Sequence, residues 1–522
     1  MINKLYTLII KFLFLRIYLF ITKKKFSQYS YEYNFQNINF TDELYLKKTF
    51  LSDKYFEDKF YDEQSYEYHS FNWLPVAKKL GSANNVIRAK KHLICWYKNK
   101  YNKNLIIWNG LFISKRFVNI IYNYEFFAVS SSIIEKDIFH NIILEHYIIL
   151  NLELKNKKLY SISIEECKAL ILGSVIYKKN INNSIALLKK IISTQIDTSG
   201  FHKSYNPLQQ VKFLNHLYEI KNIILYFNIV IPEELSFQLL NMSSLLISLV
   251  HKDDSLALFN GSNNFFNNQV LKIIKQGGDL KSKNLFNIKY GIASYTDKNK
   301  KIFFDVVKPI NSQIDNNFHA STLSFELSCK NEKIITNCGS ILRKFGKSPD
   351  YLRYSAAHST IILNNTNISE LIDKKSYKRF PKNISFNVSE DNEKIIWECS
   401  HDGYIKNFQK LIRRKIEISK KINAILGQDE ILSTKIQSTK YNYSIRFHLM
   451  PYSNCLITND RKSILIKTKL NQSWIFKSNS VLLLEDSIYV GNGKRVEQNK
   501  QIVIYGSIQN TKKIETWSLI QS

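Results

Sequence analysis

The spacing of apolar residues changes about halfway along the chain. From residue 71 to about residue 276, apolar residues recur at intervals of three and four, as in QVKFLNHLYEIKNIILYF at 210–227. This spacing is typical of amphipathic helices. From about residue 285 to residue 520 the interval falls to two, as in STLSFELSC at 321–329, which is typical of strands. The pattern therefore predicts helices followed by strands, with the change near Gly277.

A chain of 522 residues is long enough for more than one core. Many strands without intervening helices favour an antiparallel β-sandwich, and several helices with short connections favour a bundle, a toroid or a solenoid. We therefore expect a multidomain protein, α then β. Its predicted segments are a basic and aromatic stretch at 1–69, a helical domain at 70–280 and a β domain at 285–522.

The chain is strongly basic, with a formal net charge of +30. A basic surface suits nucleic acid, a membrane surface or an acidic polysaccharide. However, Lys, Asn, Ile and Tyr are all used heavily, as in an AT-rich genome, and the lysines are dispersed. The charge alone therefore identifies no partner. No nucleic-acid recognition motif accompanies it, and none of the six cysteines forms a C-x-x-C pair, which argues against zinc ribbons and redox motifs.

The first 25 residues combine apolar and basic positions. Lys11 and Arg16 interrupt the apolar stretch, whereas a spanning helix needs about 20 mostly apolar residues. A small-residue cleavage site typical of a signal peptide is also missing. Residues 1–25 therefore suit a basic helix that lies on a membrane surface or packs on the protein.

Short polar stretches interrupt the apolar pattern, and their order and spacing resemble those of the heparinase II/III family of polysaccharide lyases. These stretches are HNIILEHYIIL (140–150), QIDTSGFHKSYNP (195–207), HKDDSLALFNGS (251–262), HASTLSFELS (319–328), TNCGS (336–340), AAHSTIILNNTNIS (356–369) and HDGY (401–404). The resemblance implies an incomplete α/α toroid followed by an antiparallel β-sandwich, with the active site between them. It also implies a bacterial protein of the cell envelope or periplasm, with the cytoplasm as the alternative.

Lyases of this family cleave uronate-containing polysaccharides by β-elimination. A hydrogen bond to the uronate carboxylate makes the neighbouring proton removable. A base then takes that proton, and an acid protonates the departing oxygen. The resemblance places Asn141, His202 and His401 in catalytic roles. The family's tyrosine falls on Gln209, which has no titratable proton, so we expect nearby Tyr205 to replace it.

Further polar residues are predicted to bind the substrate. They are Glu145, Gln209, Tyr404, Arg446 and His448. Arg446 and His448 alternate onto one face of a strand and can meet an acidic sugar. The opposing interpretation is structural, because a lone histidine on a strand more often supports the fold.

The resemblance also implies a zinc site at His319, Asn337 and His358. The family has a histidine, an aspartate and a histidine at these positions, a set that suits zinc. Here Asn337 replaces the carboxylate, and an amide ligates zinc poorly. We expect the three side chains to cluster and to bind zinc weakly or not at all, with a metal-free hydrogen-bonded cluster as the alternative.

Two functions follow from these residues. The first is a lyase that acts on an acidic polysaccharide, which Asn141 and His202 favour. The second is a catalytically divergent or inactive relative that binds or processes a cell-envelope glycan, which Gln209 favours. The sequence identifies neither the polysaccharide nor the oligomeric state.

Overall fold

The computed structural model describes most of the chain. The described residues are 18–23, 46–47, 50–51, 66–99, 105–282, 284–285, 291–309, 318–341, 350–371, 377–435, 439–509 and 511–522. Long helices occupy the chain up to Gln276, and strands dominate from Ile292 onward. The prediction of a helical N-terminal region followed by antiparallel sheets is confirmed.

Helices occupy most of the described residues before residue 277. The α-helices are α1 Tyr66–His69, α2 Trp73–Leu80, α3 Ala83–Asn99, α4 Gly110–Tyr122, α5 Tyr124–Ala128, α6 Ile133–Lys155, α7 Ile164–Ile176, α8 Ile181–Gln195, α9 Pro207–Tyr226, α10 Glu233–Ser248, α11 Asn267–Gln276 and α12 Ile405–Phe408. Short 3-10 helices are Leu105–Trp108, Leu159–Ser161, Asp350–Arg353 and Ser355–Ala357. Residues 18–23 are also helical.

Two of the helices begin with capping boxes. At the start of α6 the Ser132 side chain accepts a hydrogen bond from the Glu135 backbone, and the Glu135 side chain accepts one from the Ser132 backbone. Ser163 and Glu166 repeat this arrangement at the start of α7. Each box satisfies two N–H groups that the helix leaves without a partner. The cap of α6 matters for the site because α6 carries Asn141.

The strands follow from residue 292 to the end of the chain. They are β1 Ile292–Thr296, β2 Lys300–Asp305, β3 Phe325–Cys329, β4 Glu332–Thr336, β5 Ile361–Leu363, β6 Glu370–Leu371, β7 Tyr377–Arg379, β8 Ile384–Glu390, β9 Lys394–Tyr404, β10 Lys410–Ser419, β11 Ala424–Ser433, β12 Tyr441–Leu449, β13 Asn454–Ile457, β14 Ser463–Lys467, β15 Ser473–Ser478, β16 Leu482–Tyr489, β17 Glu497–Ile508 and β18 Lys512–Gln521.

Most strands belong to two eight-stranded antiparallel sheets. The first sheet has the order β1-β2-β3-β4-β12-β17-β16, with β5 also paired to β12. The second has the order β13-β14-β15-β18-β11-β10-β9-β8, and β6 and β7 form a separate pair. Aromatic side chains from both sheets stack in one buried cluster, as Phe304 does on Trp397 and Phe325 on Trp517. Burial of these rings stabilises both sheets together.

The chain divides into two compact units. The helical unit comprises residues 1–195 and 215–237, and the sheet unit comprises residues 196–214 and 238–522. The sheet unit therefore includes the loop before α9 and the end of α10. The domain boundaries predicted from the sequence stay a prediction. Within the part of the chain that the structure describes, no helix combines the length and the apolar character needed to cross a membrane.

Candidate active site

A loop in the sheet unit, residues 196–206, folds around the carboxylate of Asp197. One oxygen of Asp197, Oδ1, accepts hydrogen bonds from the backbone N–H groups of Ser199 and Phe201, each at 2.9 Å. The other oxygen, Oδ2, accepts a hydrogen bond from the Tyr205 hydroxyl at 3.1 Å. A carboxylate at the start of the loop thus organises the turn and also holds the tyrosine that follows it.

Tyr205 adopts a left-handed backbone conformation, with φ at +47°. Its backbone N–H donates to the His202 carbonyl at 2.8 Å, and its carbonyl accepts from Asn260 Nδ2 at 3.2 Å. Burial, and then the neighbouring Asp197 carboxylate, raise the pKa of Tyr205 above its ordinary value. The phenol is therefore protonated at neutral pH and is a hydrogen-bond donor there.

His202 is buried in the same loop. Its Nδ1 atom accepts a hydrogen bond from the Ser204 backbone N–H at 3.2 Å and lies 2.7 Å from Ser204 Oγ. Burial, with a smaller contribution from Lys203, lowers the pKa of His202 to about 4. The imidazole is therefore neutral at pH 7 and does not supply a positive charge for a substrate carboxylate.

Gln209, where the family has its tyrosine, and the neighbouring Gln210 differ in their surroundings. Gln210 is buried, and its side chain accepts from the His202 backbone N–H at 2.7 Å and donates to the Gly200 carbonyl at 2.9 Å. Gln209 is half-buried in the first turn of α9, where its backbone N–H donates to Asn206 Oδ1 at 3.2 Å. Gln210 therefore fixes the loop.

Asn260 joins this loop to the segment that precedes β3. Its side-chain Nδ2 donates to the Tyr205 carbonyl, and its Oδ1 accepts from the His319 backbone N–H at 3.2 Å. The Asn260 carbonyl accepts from Asn206 Nδ2 at 2.7 Å. The sequence analysis missed Asn260, although Asn followed by Gly261 is a turn signal. The structure thus brings together Tyr205, His319 and the start of α9.

His319 and His358 form a buried pair. His319 Nδ1 lies 3.2 Å from His358 Nε2, within hydrogen-bonding distance. Burial, and then Arg353, lower the pKa of His319 to about 3. Burial and the two neighbouring histidines, His319 and then His448, lower the pKa of His358 as well. Both imidazoles are therefore neutral at pH 7.

Asn337 lies next to this pair but turns its oxygen to the backbone. Its Oδ1 accepts from the Ser359 N–H at 3.0 Å. Among the described residues, neither Asn337 Nδ2 nor His358 Nδ1 has a hydrogen-bond partner, although both atoms are buried. No three His, Cys, Asp or Glu side chains gather as a metal site in the described part of the chain. The two imidazoles hydrogen-bond to one another and the Asn337 oxygen to Ser359, and an amide is a poorer zinc ligand than a carboxylate, so weak or absent zinc binding stays a prediction.

Arg414 holds the two segments that carry this histidine pair. Its side chain is fully buried and forms a two-pronged ion pair with Asp429, at 2.6 and 2.9 Å. Its Nη1 donates to the carbonyls of Leu323 and Ser359, each at 2.8 Å. These carbonyls follow His319 and His358 closely in sequence. One guanidinium from the second sheet therefore fixes both segments.

His401 and Tyr404 are buried, whereas their predicted roles require contact with the substrate. Both side chains are fully buried. His401 Nδ1 accepts from the Gly403 N–H at 3.1 Å, and the Tyr404 hydroxyl donates to the Thr366 carbonyl at 2.7 Å. Burial, with contributions from nearby arginines, lowers the pKa of His401 to about 3. Catalysis by His401 and substrate contact by Tyr404 stay predictions.

Arg446 and His448 both lie on β12, but they make different contacts. His448 is buried, with Nε2 donating to the Ala356 carbonyl at 3.0 Å and Nδ1 accepting from the Ser487 hydroxyl at 2.9 Å. The half-buried Arg446 ion-pairs with Glu485 at 3.4 Å. His448 therefore supports the segment that leads to His358. Substrate contact by these two residues stays a prediction.

In the helical unit, Asn141 and Glu145 lie one turn apart on α6 and share a partner. Lys23 Nζ lies 3.0 Å from Asn141 Oδ1 and 2.6 Å from Glu145 Oε1. Tyr97 also donates its hydroxyl to Glu145 at 3.1 Å. Lys23 was missed as a contact of these residues, because the basic run after the apolar stretch indicated a membrane surface or the protein itself but no particular partner.

The C-terminal part of the chain matches a known protein family. Residues 279–518 match the model described as heparinase II/III-like, C-terminal. These residues are therefore similar to the C-terminal domain of heparinase II/III-like proteins. The match begins just after α11 and covers both eight-stranded sheets except the last three residues of β18. It confirms the resemblance found in the sequence. No curated protein matches the chain in sequence.

Solved heparinases are similar in fold over nearly the whole chain. The heparan sulfate lyase HepC from Pedobacter heparinus is 14% identical, with a TM-score of 0.65 over 97% of this chain and 87% of that one. The heparinase III that is the BT4657 gene product is 11% identical, with a TM-score of 0.70 over 97% and 88%. Another heparinase III structure is 14% identical, with a TM-score of 0.68 over 87% and 76%. At such low identity the likeness concerns the fold.

Proposed function

We propose that the protein is a polysaccharide lyase that cleaves an acidic, uronate-containing polysaccharide by β-elimination. One observation carries this proposal: Asn260 links the loop of Tyr205 to His319 and its partner His358. Asn260 bonds the backbone carbonyl of Tyr205 and the backbone N–H of His319, so the segments that carry a phenol and two neutral imidazoles are held together. Such side chains can exchange protons with a sugar. The likeness in fold to a heparan sulfate lyase supports the choice of an acidic polysaccharide.

The finer architecture and setting belong to the same proposal. The helical region would be an incomplete α/α toroid, and the two sheets would be a β-sandwich, which the shared aromatic cluster supports. A catalytic role for Asn141 stays a prediction. We place the protein in a bacterial cell envelope or periplasm. Most of residues 1–25, predicted to contact a membrane surface, lie outside the described residues.

A second function is favoured by the residues at the family's catalytic positions. Gln209 offers no titratable proton there, and the buried Gln210 beside it is engaged with the backbone of the loop. A relative with this substitution could bind or process a cell-envelope glycan without eliminating it. Binding without cleavage would distinguish this function from the lyase.

Incubation with heparan sulfate, chondroitin, hyaluronan and alginate tests the two functions. β-Elimination leaves a double bond conjugated with the carboxylate, so we expect the ultraviolet absorbance to rise with at least one of these glycans. The binding of each glycan is measured in parallel by calorimetry. Binding without any rise in absorbance would favour the glycan-binding function over the lyase. The absence of both binding and a rise in absorbance would contradict both functions.

The replacement of Asn337 by a carboxylate should change metal binding. We expect the wild-type protein to lose zinc on dialysis against a mild chelator, and Asn337→Asp to retain more zinc, because an anionic oxygen ligand offsets dehydration of the ion. Elemental analysis of the dialysed proteins measures this difference. The matched control adds His358→Ala to Asn337→Asp, which should remove the gain. Equal zinc contents in the wild type and Asn337→Asp would mean that the three side chains do not converge.

A further inference from the structure

The loop of residues 196–206 contains a tyrosine and a carboxylate that are held together more firmly than a surface turn requires. The Tyr205 hydroxyl donates to Asp197 Oδ2 at 3.1 Å. Three donors occupy the other oxygen of Asp197, namely the Ser199 and Phe201 N–H groups and the Ser199 hydroxyl. The carboxylate therefore cannot rotate without losing these bonds. Oδ2 remains directed at the phenol.

The backbone of Tyr205 is also held in an unfavourable conformation. Its φ of +47° is uncommon for a residue with a large side chain. Hydrogen bonds to the His202 carbonyl and from Asn260 Nδ2 keep it there, and the ring packs on Phe201 with the ring centroids 5.6 Å apart. Such strain persists where the surroundings fix it, often at functional sites. The half-buried ring still reaches the surface of the sheet unit.

We propose that Tyr205 and Asp197 form a proton-relay dyad, in which Tyr205 contacts the uronate and Asp197 acts through it. The proposal rests on the proposed lyase function and replaces the tyrosine missing at Gln209. A phenol alone is a poor base at neutral pH, and the raised pKa of Tyr205 makes its own ionisation less favourable. A carboxylate that takes the phenol proton at the moment of reaction removes this obstacle.

The proton relay takes place in two steps, which account for every proton and electron pair. First, the C5 proton of the uronate moves to the Tyr205 oxygen while the phenol proton moves to Asp197 Oδ2, and the C–H electron pair forms the enolate of the carboxylate. Then the enolate electrons form the C4–C5 double bond, and the C4–O bond breaks with its electron pair on the departing oxygen. Tyr205 protonates that oxygen and recovers its proton from Asp197. No oxidant or reductant is needed.

The test compares kcat and KM of Tyr205→Phe, Asp197→Asn and the wild type on the glycan that the wild type cleaves. General acid–base groups contribute roughly 100- to 10,000-fold, so kcat should fall by that factor in Tyr205→Phe and by at least about 100-fold in Asp197→Asn. KM should change little, because the glycan keeps its other contacts. Thermal unfolding of each variant shows whether the sheet unit remains folded.

Tyr443→Phe is the matched control. The Tyr443 hydroxyl also donates to a carboxylate, Glu515, but this pair is buried within the sheet unit. We expect this variant to lower the melting temperature without lowering kcat. An active wild type whose folded Tyr205→Phe or Asp197→Asn variant keeps its kcat would overturn the dyad alone. A wild type that cleaves none of the glycans would overturn the proposed function, and the dyad's role with it.

Discussion

Acidification to about pH 5 is expected to unfold the sheet unit, because buried histidines there take up protons only after unfolding. Four such histidines lie outside the candidate metal pair. Burial is the first cause in each case, and it lowers the pKa to about 4 for His202, His251 and His448 and to about 3 for His401. In an unfolded chain a histidine titrates near pH 6.5.

The direction of the effect follows from these values. A pKa that is lower in the folded state contributes stability above the unfolded pKa, and that stability is lost as the pH falls toward the folded pKa. At pH 5 the contribution of each histidine to the free energy of unfolding has fallen by about 2 kcal/mol, so the four contributions together have fallen by roughly 8 kcal/mol. Domains are stable by only about 5–15 kcal/mol. The loss is therefore comparable to the whole free energy of unfolding.

Asp305 acts in the opposite direction. Burial raises the pKa of its carboxyl to about 6, although hydrogen bonds from Ser321 and Val307 oppose the rise. Protonation of Asp305 therefore stabilises the folded state as the pH falls through 6. At pH 5 the gain is about 1.5 kcal/mol, too little to offset the four histidines.

Circular dichroism and tryptophan fluorescence between pH 7 and pH 4 measure this transition. His401→Asn is the informative variant, because an asparagine oxygen can accept the Gly403 N–H as His401 Nδ1 does. It should reduce the slope of unfolding free energy against pH by about 1.4 kcal/mol per pH unit, equivalent to one proton. A wild-type protein that keeps its folded spectrum at pH 5 would contradict the prediction.

The architecture could be predicted from the sequence because it depends on local spacing. Apolar residues at intervals of three and four and then of two gave the order of helices and sheets correctly. The pairing of Arg446 and His448 on one strand also follows from alternation. The burial of His448 does not, because it depends on Ser487 from β16, two strands away in the sheet, and on Ala356 from the 3-10 helix Ser355–Ala357.

The site itself was predicted only in part, because its contacts join residues that are far apart in sequence. Asn260 is 55 residues from Tyr205 and 59 from His319, and no local pattern indicates either contact. Asp197 had no expected role in the sequence, so only its contact with Tyr205 makes it a candidate. Lys23 was similarly hidden, since its partners on α6 lie 118 and 122 residues away.

Replacement of Arg414 by methionine is expected to destabilise the sheet unit by about 3–5 kcal/mol, the usual cost of breaking a buried ion pair. The side chain of Arg414 is fully buried, as is that of Asp429. Of the donors in the described part of the chain, methionine would leave this carboxylate only the Trp517 N–H at 3.0 Å, and the carbonyls of Leu323 and Ser359 would lose a donor. Urea unfolding at neutral pH measures the free energy, and the segments of His319 and His358 should exchange their amide hydrogens faster.

Arg413→Met provides the matched control, since Arg413 is the neighbouring arginine on β10. Its side chain is 45% exposed, and it pairs with Glu430 at 3.3 Å. Exposed pairs contribute about 0–1 kcal/mol, so this variant should unfold close to the wild type. The double variant Arg414→Met with Asp429→Leu should recover much of the lost stability, because it leaves no unpaired charge. If Arg414→Met unfolds like Arg413→Met, the guanidinium does not fix the two histidine segments, and their positions depend on Asn260 and the strand pairing instead.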